Sequence, residues 1–181
     1  NGTQKNQPIN ELRFSNRVKD IKSVIDFVDK KYNSQIILIG SSLGGLVTLN
    51  SAIYSPNVKG IILNCAAVKA HICVESTIDQ KEFKNWKSNG VANVWGVPMK
   101  YDFYEDLVNL NAIKVIPNLK MPILWFHGSD DMVVPISQAY EAKSKNPNIE
   151  LVLVSGGGHR FGDKMKPGEW ENKIEQFILK A

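Results

Sequence analysis

Short apolar runs alternate along the chain with longer stretches in which apolar residues recur every three or four positions. The short runs predict strands at residues 36–39, 58–63, 122–126 and 149–154. The longer stretches each have one apolar face and predict helices at residues 15–32, 43–54, 135–144 and from 169 onward. Strands that alternate with helices predict a parallel sheet with right-handed crossovers. The expected fold class is therefore α/β, with a parallel sheet of about four strands flanked by helices.

Individual residues support three of these predicted elements. Ser15 is placed to cap the first helix with its hydroxyl, and Pro135 occupies the first-turn position that proline favours. The run Ile36–Ile39 is apolar at every position, which is typical of a parallel strand that is covered on both faces.

Residues 66–121 lie between the second and third predicted strands, which is far more chain than one crossover helix needs. Long insertions in α/β domains are usually functional covers, so we expect a single domain over residues 1–181 with a cap insertion at about 66–121. The aromatic residues of the insertion either fill the core of the cap or line a substrate pocket. The pocket candidates are Trp86, Trp95, Tyr101 and Phe103, joined by Phe161 beyond the fourth strand.

Composition narrows the function classes. The chain of 181 residues carries a mild net charge of +4, with lysines spread among carboxylates rather than gathered in a basic block. Nucleic acid is therefore not an expected partner. No apolar stretch approaches the roughly 20 residues that a membrane span needs.

Cys65 and Cys73 are too few for a disulfide framework and are interpreted as buried or incidental thiols. The chain begins at Asn1 rather than Met and no signal-peptide pattern follows, so the native start is not visible and the location is not determined by the sequence; cytoplasmic is the expectation.

The stretch LIGSSLGGL at residues 38–46 suggests a nucleophile. The pattern Gly-x-Ser-x-Gly fits only Ser42, with Gly40 and Gly44 on its two sides. A serine on a sharp strand-to-helix turn needs small flanking residues, because side chains at both flanking positions would collide there. The same turn aims the backbone N–H of Leu43 at a developing oxyanion, close to a helix N-terminus.

A serine nucleophile needs a base and an orienting carboxylate. Of the three histidines, His159 is the candidate base, because it follows the fourth strand on a glycine-rich loop. His127 closes the third strand and is interpreted as structural, and His71 as a surface or cap histidine. Asp130 and Asp131 both follow the third strand. Ser42, the aspartate pair and His159 thus lie at the carboxyl ends of three strands, where ligands gather in open parallel sheets.

The order of nucleophile, acid and histidine, with the motifs GSSLGG, HGSDDMVVP and GGGHRF, resembles the α/β-hydrolase superfamily over essentially the whole chain. The likeness is closest to small serine esterases and S33- or S9-like serine hydrolases. That family commonly has His-Gly-x-x-Asp-x-x-Val-Pro after the acid strand, and this pattern selects Asp131 over Asp130. The resemblance also assigns the nucleophile to Ser42 and the base to His159.

The function that the resemblance implies is cleavage of a small-molecule carboxylic ester through a Ser-His-Asp triad and an acyl-enzyme intermediate. It implies neither a metal nor an organic cofactor. Two alternatives remain open at this point: an amide- or thioester-cleaving hydrolase, and a non-catalytic binding domain with a hydrolase-like fold.

One departure from the family pattern concerns the start of the chain. Family members have three or four further strands before the nucleophile strand, with a His-Gly type loop that supplies a second oxyanion donor. Residues 1–14 are polar and contain no strand-like run. We therefore expect the 36–39 strand to form an apolar edge with Ser42 near the open side of the sheet. A further chain segment or another polypeptide is expected to cover that edge.

Overall fold

The computed structural model describes residues 11–166 and 168–181, and its elements follow the predicted alternation. In chain order these are α1 (Phe14–Tyr32), β1 (Ile36–Ser41), α2 (Leu43–Ser51), β2 (Val58–Asn64), α3 (Ala70–Glu75), α4 (Gln80–Asn89), β3 (Val91–Val94), β4 (Val97–Lys100), α5 (Tyr101–Asn109), β5 (Ile123–Gly128), α6 (Ser137–Lys145), β6 (Ile149–Val154) and α7 (Glu169–Lys180). Short 3-10 turns lie at Ala52–Tyr54, Ala112–Lys114, Ile116–Asn118 and Gly162–Lys164.

Four strands form one parallel sheet in the spatial order β1-β2-β5-β6. The predicted α/β class, with a four-stranded parallel sheet flanked by helices, is confirmed. Every residue of β5 is buried, because this strand is inside the sheet and covered on both faces. The larger apolar core contains Ile25 of α1 and Leu46 of α2, and the smaller one lies between the other face of the sheet and α7.

The inserted segment between β2 and β5 has its own secondary structure. It contains three helices and the antiparallel hairpin β3–β4, whose two-residue turn is Trp95-Gly96. Trp86 is fully buried at the centre of this segment, and its indole N–H donates to the Met99 carbonyl oxygen over 2.9 Å. The segment therefore packs around a tryptophan of its own while its helices join the main core. Its role as a cap stays a prediction.

The start of α1 differs from the sequence prediction. The helix begins at Phe14, so Ser15 lies inside its first turn and does not cap it. The backbone N–H groups of Phe14 and Ser15 instead donate to the Asp106 carboxylate of α5, over 2.6 and 3.0 Å. A side chain about ninety residues away in sequence thus satisfies the helix end and ties the inserted segment to α1.

Strand β1 forms the edge of the sheet, as expected. Among residues 11–166 and 168–181, β2 is the only strand paired with it. Ile39 is consequently 68% exposed, although its sequence environment predicted burial on both faces. The expectation that the start of the chain contributes no strand lies, for residues 1–10, outside the described residues. A further segment or partner over this edge stays a prediction.

In the part of the chain that the structure describes, none of the helices combines the length and apolar character that crossing a bilayer requires.

Replacing Asp106 by alanine tests the link between the inserted segment and α1. The Asp106→Ala change leaves two N–H groups of α1 without their acceptor, so we expect the free energy of unfolding to fall by about 1–2 kcal/mol. Asp102→Ala is the matched control on the same helix, because Asp102 pairs with Arg13 at an exposed site and should contribute less than about 1 kcal/mol. Equal losses for the two variants in urea unfolding would contradict this account.

Candidate active site

Ser42 occupies the sharp turn between β1 and α2 that its sequence environment predicts. Its backbone has φ 52° and ψ −122°, a strained combination for a residue other than glycine. The Ser42 N–H donates to the carbonyl oxygen of Asn64, at the end of the neighbouring strand, over 2.9 Å. The strained turn is thus held by the sheet itself, and it presents the hydroxyl above the carboxyl ends of the strands.

Of the glycines around Ser42, Gly40 is restricted as the sequence pattern predicts, Gly44 is not, and Gly45 is restricted by a different contact. A Cβ atom at Gly40 would lie 2.4 Å from Thr48 Oγ1 and 2.7 Å from a backbone carbonyl oxygen, so this position cannot hold a side chain. Gly44, on the other side, faces open space, and the expected collision there was wrong. Gly45 is the second restricted position, because a Cβ would lie 2.3 Å from the Ala66 Cβ where α2 crosses the end of β2.

The structure brings Ser42, His159 and Asp131 into one chain of hydrogen bonds. His159 Nε2 lies 2.9 Å from Ser42 Oγ, and His159 Nδ1 lies 2.8 Å from Asp131 Oδ2. An ionised carboxylate can only accept, so Nδ1 carries the proton and Nε2 accepts from the serine hydroxyl. Asp130 is exposed, and its carboxylate accepts instead from the Ser129 hydroxyl over 2.7 Å.

The environment of Asp131 keeps this carboxyl ionised although it is buried. Burial by itself would raise the pKa, but hydrogen bonds from the Val134 N–H, the His159 ring and the Val133 N–H outweigh it, and the net pKa of Asp131 is lowered. The two backbone bonds are both 2.9 Å long and go to Oδ1, which leaves Oδ2 for the histidine.

His127 fixes the loop that carries Asp131 rather than joining the histidine–serine chain. The Trp125 indole N–H donates to His127 Nδ1 over 3.1 Å, so the ring proton is on Nε2. Nε2 then donates to the Val134 carbonyl oxygen over 2.9 Å. Burial lowers the pKa of His127, which keeps the ring neutral. The structural interpretation of His127 agrees with this geometry, and His71 lies in α3 beside Lys69 and Glu75.

Cys65 lies beside the acid, a position that its sequence context did not predict. It follows β2 with a positive φ of 44°, and its buried thiol helps to keep the pKa of Asp131 low. Its position after a strand end was the available signal, since the acid and the base occupy equivalent positions. Both cysteines are free and buried, as expected.

Cys65, His127 and Asp131 place one donor atom each within 4.8 Å of one another, close enough to consider a metal site. Burial raises the pKa of Cys65 to about 12, so its sulfur is protonated and a poor ligand. The His127 Nε2 and both Asp131 oxygens already make hydrogen bonds. The arrangement is a hydrogen-bond network around the acid.

The loop that carries His159 packs directly on the end of the acid strand. A Cβ atom at Gly128 would lie 2.1 Å from the Gly157 carbonyl oxygen, so the two backbones touch. The Asp130 N–H donates to that same oxygen over 3.0 Å, and the Gly156 N–H donates to the Ser129 hydroxyl over 2.8 Å. Contacts between backbones therefore set the separation of acid and histidine.

The predicted pocket aromatics divide into three groups. Trp86 and Tyr101 contact each other edge to face, with ring centroids 5.6 Å apart, and Trp86 belongs to the core rather than to a pocket. Trp95 and Phe103 line an apolar pocket of about 180 Å³ that also contacts Leu43. Phe161 lines a separate cavity of about 390 Å³ next to Ser41 and the exposed edge of β1.

A parallel sheet with a strained serine turn after one strand, an acid after another and a histidine after a third defines the α/β-hydrolase class of fold. The sequence model of the family described as serine aminopeptidase, S33 (Hydrolase_4), matches residues 1–105. The chain belongs to this family of α/β hydrolases.

Individual relatives point to the same class. The chain is 27% identical over 157 residues to human mitochondrial palmitoyl-protein thioesterase ABHD10, a match that covers 79% of this chain and 50% of that protein. It is 22% identical over 161 residues to the pimeloyl-[acyl-carrier protein] methyl ester esterase of Xanthomonas axonopodis, covering 68% and 63% of the two chains. The chain spans about half the length of the ABHD10 relatives that it matches.

Solved structures share the fold. Est1E from Butyrivibrio proteoclasticus superimposes with a TM-score of 0.78 at 19% identity, covering 93% of this chain and 71% of that one. Mouse ABHD10 superimposes with a TM-score of 0.75 at 22% identity, covering 95% and 72%. At these identities the likeness establishes the fold alone.

The pH dependence of stability tests the role of His127. Its folded-state pKa is depressed, so the unfolded chain binds a proton that the folded chain does not. Stability is therefore full above about pH 6.5 and falls as pH drops below that value, by up to about 1.4 kcal/mol per pH unit. We expect His127→Asn to flatten the slope of unfolding free energy between about pH 7 and pH 5.

His71→Asn is the comparison variant. The pKa of His71 is also lowered by burial, so the two variants together show how the slope divides between the two histidines. Urea titrations at each pH supply the slopes. A slope in His127→Asn equal to that of the wild type, with the whole effect lost in His71→Asn, would show that His127 does not contribute.

Proposed function

We propose that the protein is a serine hydrolase that cleaves carboxylic esters through an acyl-enzyme intermediate. The observation that carries the proposal is the continuous hydrogen-bond chain from Ser42 through His159 to a buried carboxylate whose pKa is lowered. An esterase and a thioesterase among the relatives support the reaction class. Ligand binding alone requires neither this chain of hydrogen bonds nor a serine in a strained backbone conformation, which argues against a non-catalytic binding domain.

Acylation follows from the direction of the bonds. Ser42 Oγ attacks the ester carbonyl carbon while its proton passes to His159 Nε2. The carbonyl π electrons move to oxygen, and the tetrahedral oxyanion is stabilised by the Leu43 N–H, which belongs to the first turn of α2 and has no acceptor within that helix. When the oxyanion collapses, the bond to the alcohol oxygen breaks, and His159 returns the proton to that oxygen.

Deacylation repeats the steps with water. His159 Nε2 takes a proton from a water molecule that attacks the acyl carbon, and Ser42 leaves with that proton as the carboxylic acid forms. Asp131 accepts from Nδ1–H throughout, so it holds the productive tautomer and stabilises the ring when it is doubly protonated. Every group in the cycle returns to its starting state.

Thioester cleavage is the second candidate, and it uses the same residues. The match to palmitoyl-protein thioesterase ABHD10 favours it over amide cleavage. A thiolate leaves without full protonation, so a thioester depends less on proton return from His159 than an ester does. Matched ester and thioester substrates of the same acyl group would rank the two reactions.

The assignment of Ser42 over Ser41 is testable directly. We expect Ser42→Ala to lower ester turnover by at least about 10³-fold and to abolish labelling by a fluorophosphonate, because the nucleophile is gone. Ser41→Ala should stay within about threefold of wild-type turnover, since Ser41 ends β1 and is not bonded to His159 in the described network. Labelling that survives in folded Ser42→Ala would refute the assignment.

Substitutions of the two adjacent aspartates test which of them is the acid of the triad. Asp131→Asn cannot hold the Nδ1–H tautomer, and kcat should fall by about 10³–10⁴-fold. Asp130→Asn changes only an exposed carboxylate bonded to Ser129, and kcat should change by less than about threefold. Steady-state kinetics on folded variants decides, and comparable losses at both positions would mean that the acid is not Asp131 alone.

A further inference from the structure

An apolar pocket lies beside the proposed oxyanion donor, between the β3–β4 hairpin and the start of α1. Its volume is about 180 Å³, and all of its described lining residues are apolar, among them Leu12, Phe14, Leu43, Trp95 and Phe103. Leu43 follows the nucleophile directly in the chain, so one wall of the pocket belongs to the residue whose N–H is the proposed oxyanion donor. An apolar cavity of about 150 Å³ holds one benzene ring, so a pocket of this size holds roughly six carbon atoms.

Trp95 is held over this pocket at a conformational cost. It and Gly96 form the turn of the hairpin, with φ values of 52° and 82°. A hairpin turn with two positive φ values favours Asn-Gly, and a bulky residue at the first position is strained by on the order of 1–2 kcal/mol. The indole contacts Phe103 edge to face at 6.3 Å between centroids, yet Trp95 remains 48% exposed. The fold alone gives no reason for tryptophan here.

The position of the pocket identifies which half of an ester it receives. His159 must return a proton to the leaving alcohol, so the alcohol departs on the side of the histidine loop. The cavity that Arg160 and Phe161 line is on that side. The apolar pocket is bordered by Leu43 and the hairpin instead, with no described residue of the histidine loop in its wall. The group that fits it is therefore the acyl chain.

Among the described residues, none that lines this pocket is charged, so a charged acyl group has no partner from them. The carboxylates next in sequence to lining residues are already engaged, since Glu11 pairs with Lys100 and Asp102 pairs with Arg13. Asp106 accepts from the N–H groups of Phe14 and Ser15. A substrate ammonium in the pocket would lose its hydration without compensation. An aminopeptidase, by contrast, must recognise such an ammonium.

We propose that this pocket is the acyl-binding site, that Trp95 determines its specificity, and that it selects uncharged acyl chains of about hexanoyl length over aminoacyl groups. The proposal rests on the hydrolase function proposed above. Each methylene buried between acetyl and hexanoyl should raise kcat/KM about threefold to fourfold, and the gain should end beyond hexanoyl, where the pocket is full.

The kinetic test uses p-nitrophenyl esters from acetyl to decanoyl. Trp95→Asn retains the hairpin, because Asn-Gly suits the turn, but it removes the indole. We expect it to lower kcat/KM for hexanoyl about tenfold relative to acetyl, mainly through KM. Tyr140→Asn, an equally exposed aromatic on α6, is the control and should retain the wild-type profile. The ω-amino analogue of the hexanoyl ester should react at least about a hundredfold more slowly than hexanoyl.

A binding measurement separates this proposal from the hydrolase function. Neutral hexanamide should change the tryptophan fluorescence of Ser42→Ala, which cannot turn over, and should not do so in Ser42→Ala combined with Trp95→Asn. An unchanged chain-length profile in Trp95→Asn, or equal rates for the ω-amino ester, would overturn the pocket assignment while ester hydrolysis and serine labelling stand. Hexanamide binding without any hydrolysis or labelling would instead refute the function and leave the pocket.

Discussion

The contact between the backbones at Gly128 and Gly157 is the constraint on which the rest of the site depends. Gly128 has no room for a side chain on the side that faces Gly157, so the acid loop and the histidine loop approach as closely as peptide groups allow. Gly157 itself is restricted by Val154 at the end of its own strand. The hydrogen bonds between the loops hold that distance. The imidazole therefore reaches Asp131 and Ser42 together without any long, adjustable side chain setting its position.

A second set of hydrogen bonds connects Asp131 and its loop to the sheet. Asp131 accepts two backbone bonds within its own loop, and His127 connects that loop to Trp125 in the most buried strand of the sheet. Because burial and hydrogen bonding act on the pKa of the carboxyl in opposite directions, the hydrogen bonds are what keep that pKa low. The hydrogen bonds around Asp131 thus matter for charge as well as for orientation.

The sequence was sufficient for those features that local patterns encode. Alternating periodicities predicted the strands and helices of the sheet. The motifs indicated Ser42 and His159, and the resemblance to the α/β-hydrolase family selected Asp131 over Asp130. Features that depend on contacts between segments distant in sequence could not be predicted from the sequence. Gly45 rather than Gly44 is restricted because α2 happens to cross Ala66, and Asp106 rather than Ser15 satisfies the start of α1. Composition likewise could not separate Trp86, which fills a core, from Trp95, which borders a pocket.

The inserted segment also has a consequence for how the sheet assembles. Strands β2 and β5 are neighbours in space but are separated by roughly sixty residues, and closing a disordered loop of that length costs more entropy than closing a short crossover. Much of that cost is avoided if the segment around Trp86 folds first, since its helix and hairpin contacts are local in sequence. The hairpin that borders the proposed acyl pocket then also affects how quickly the sheet closes, so under that proposal changes to the hairpin act on folding rate as well as on substrate choice.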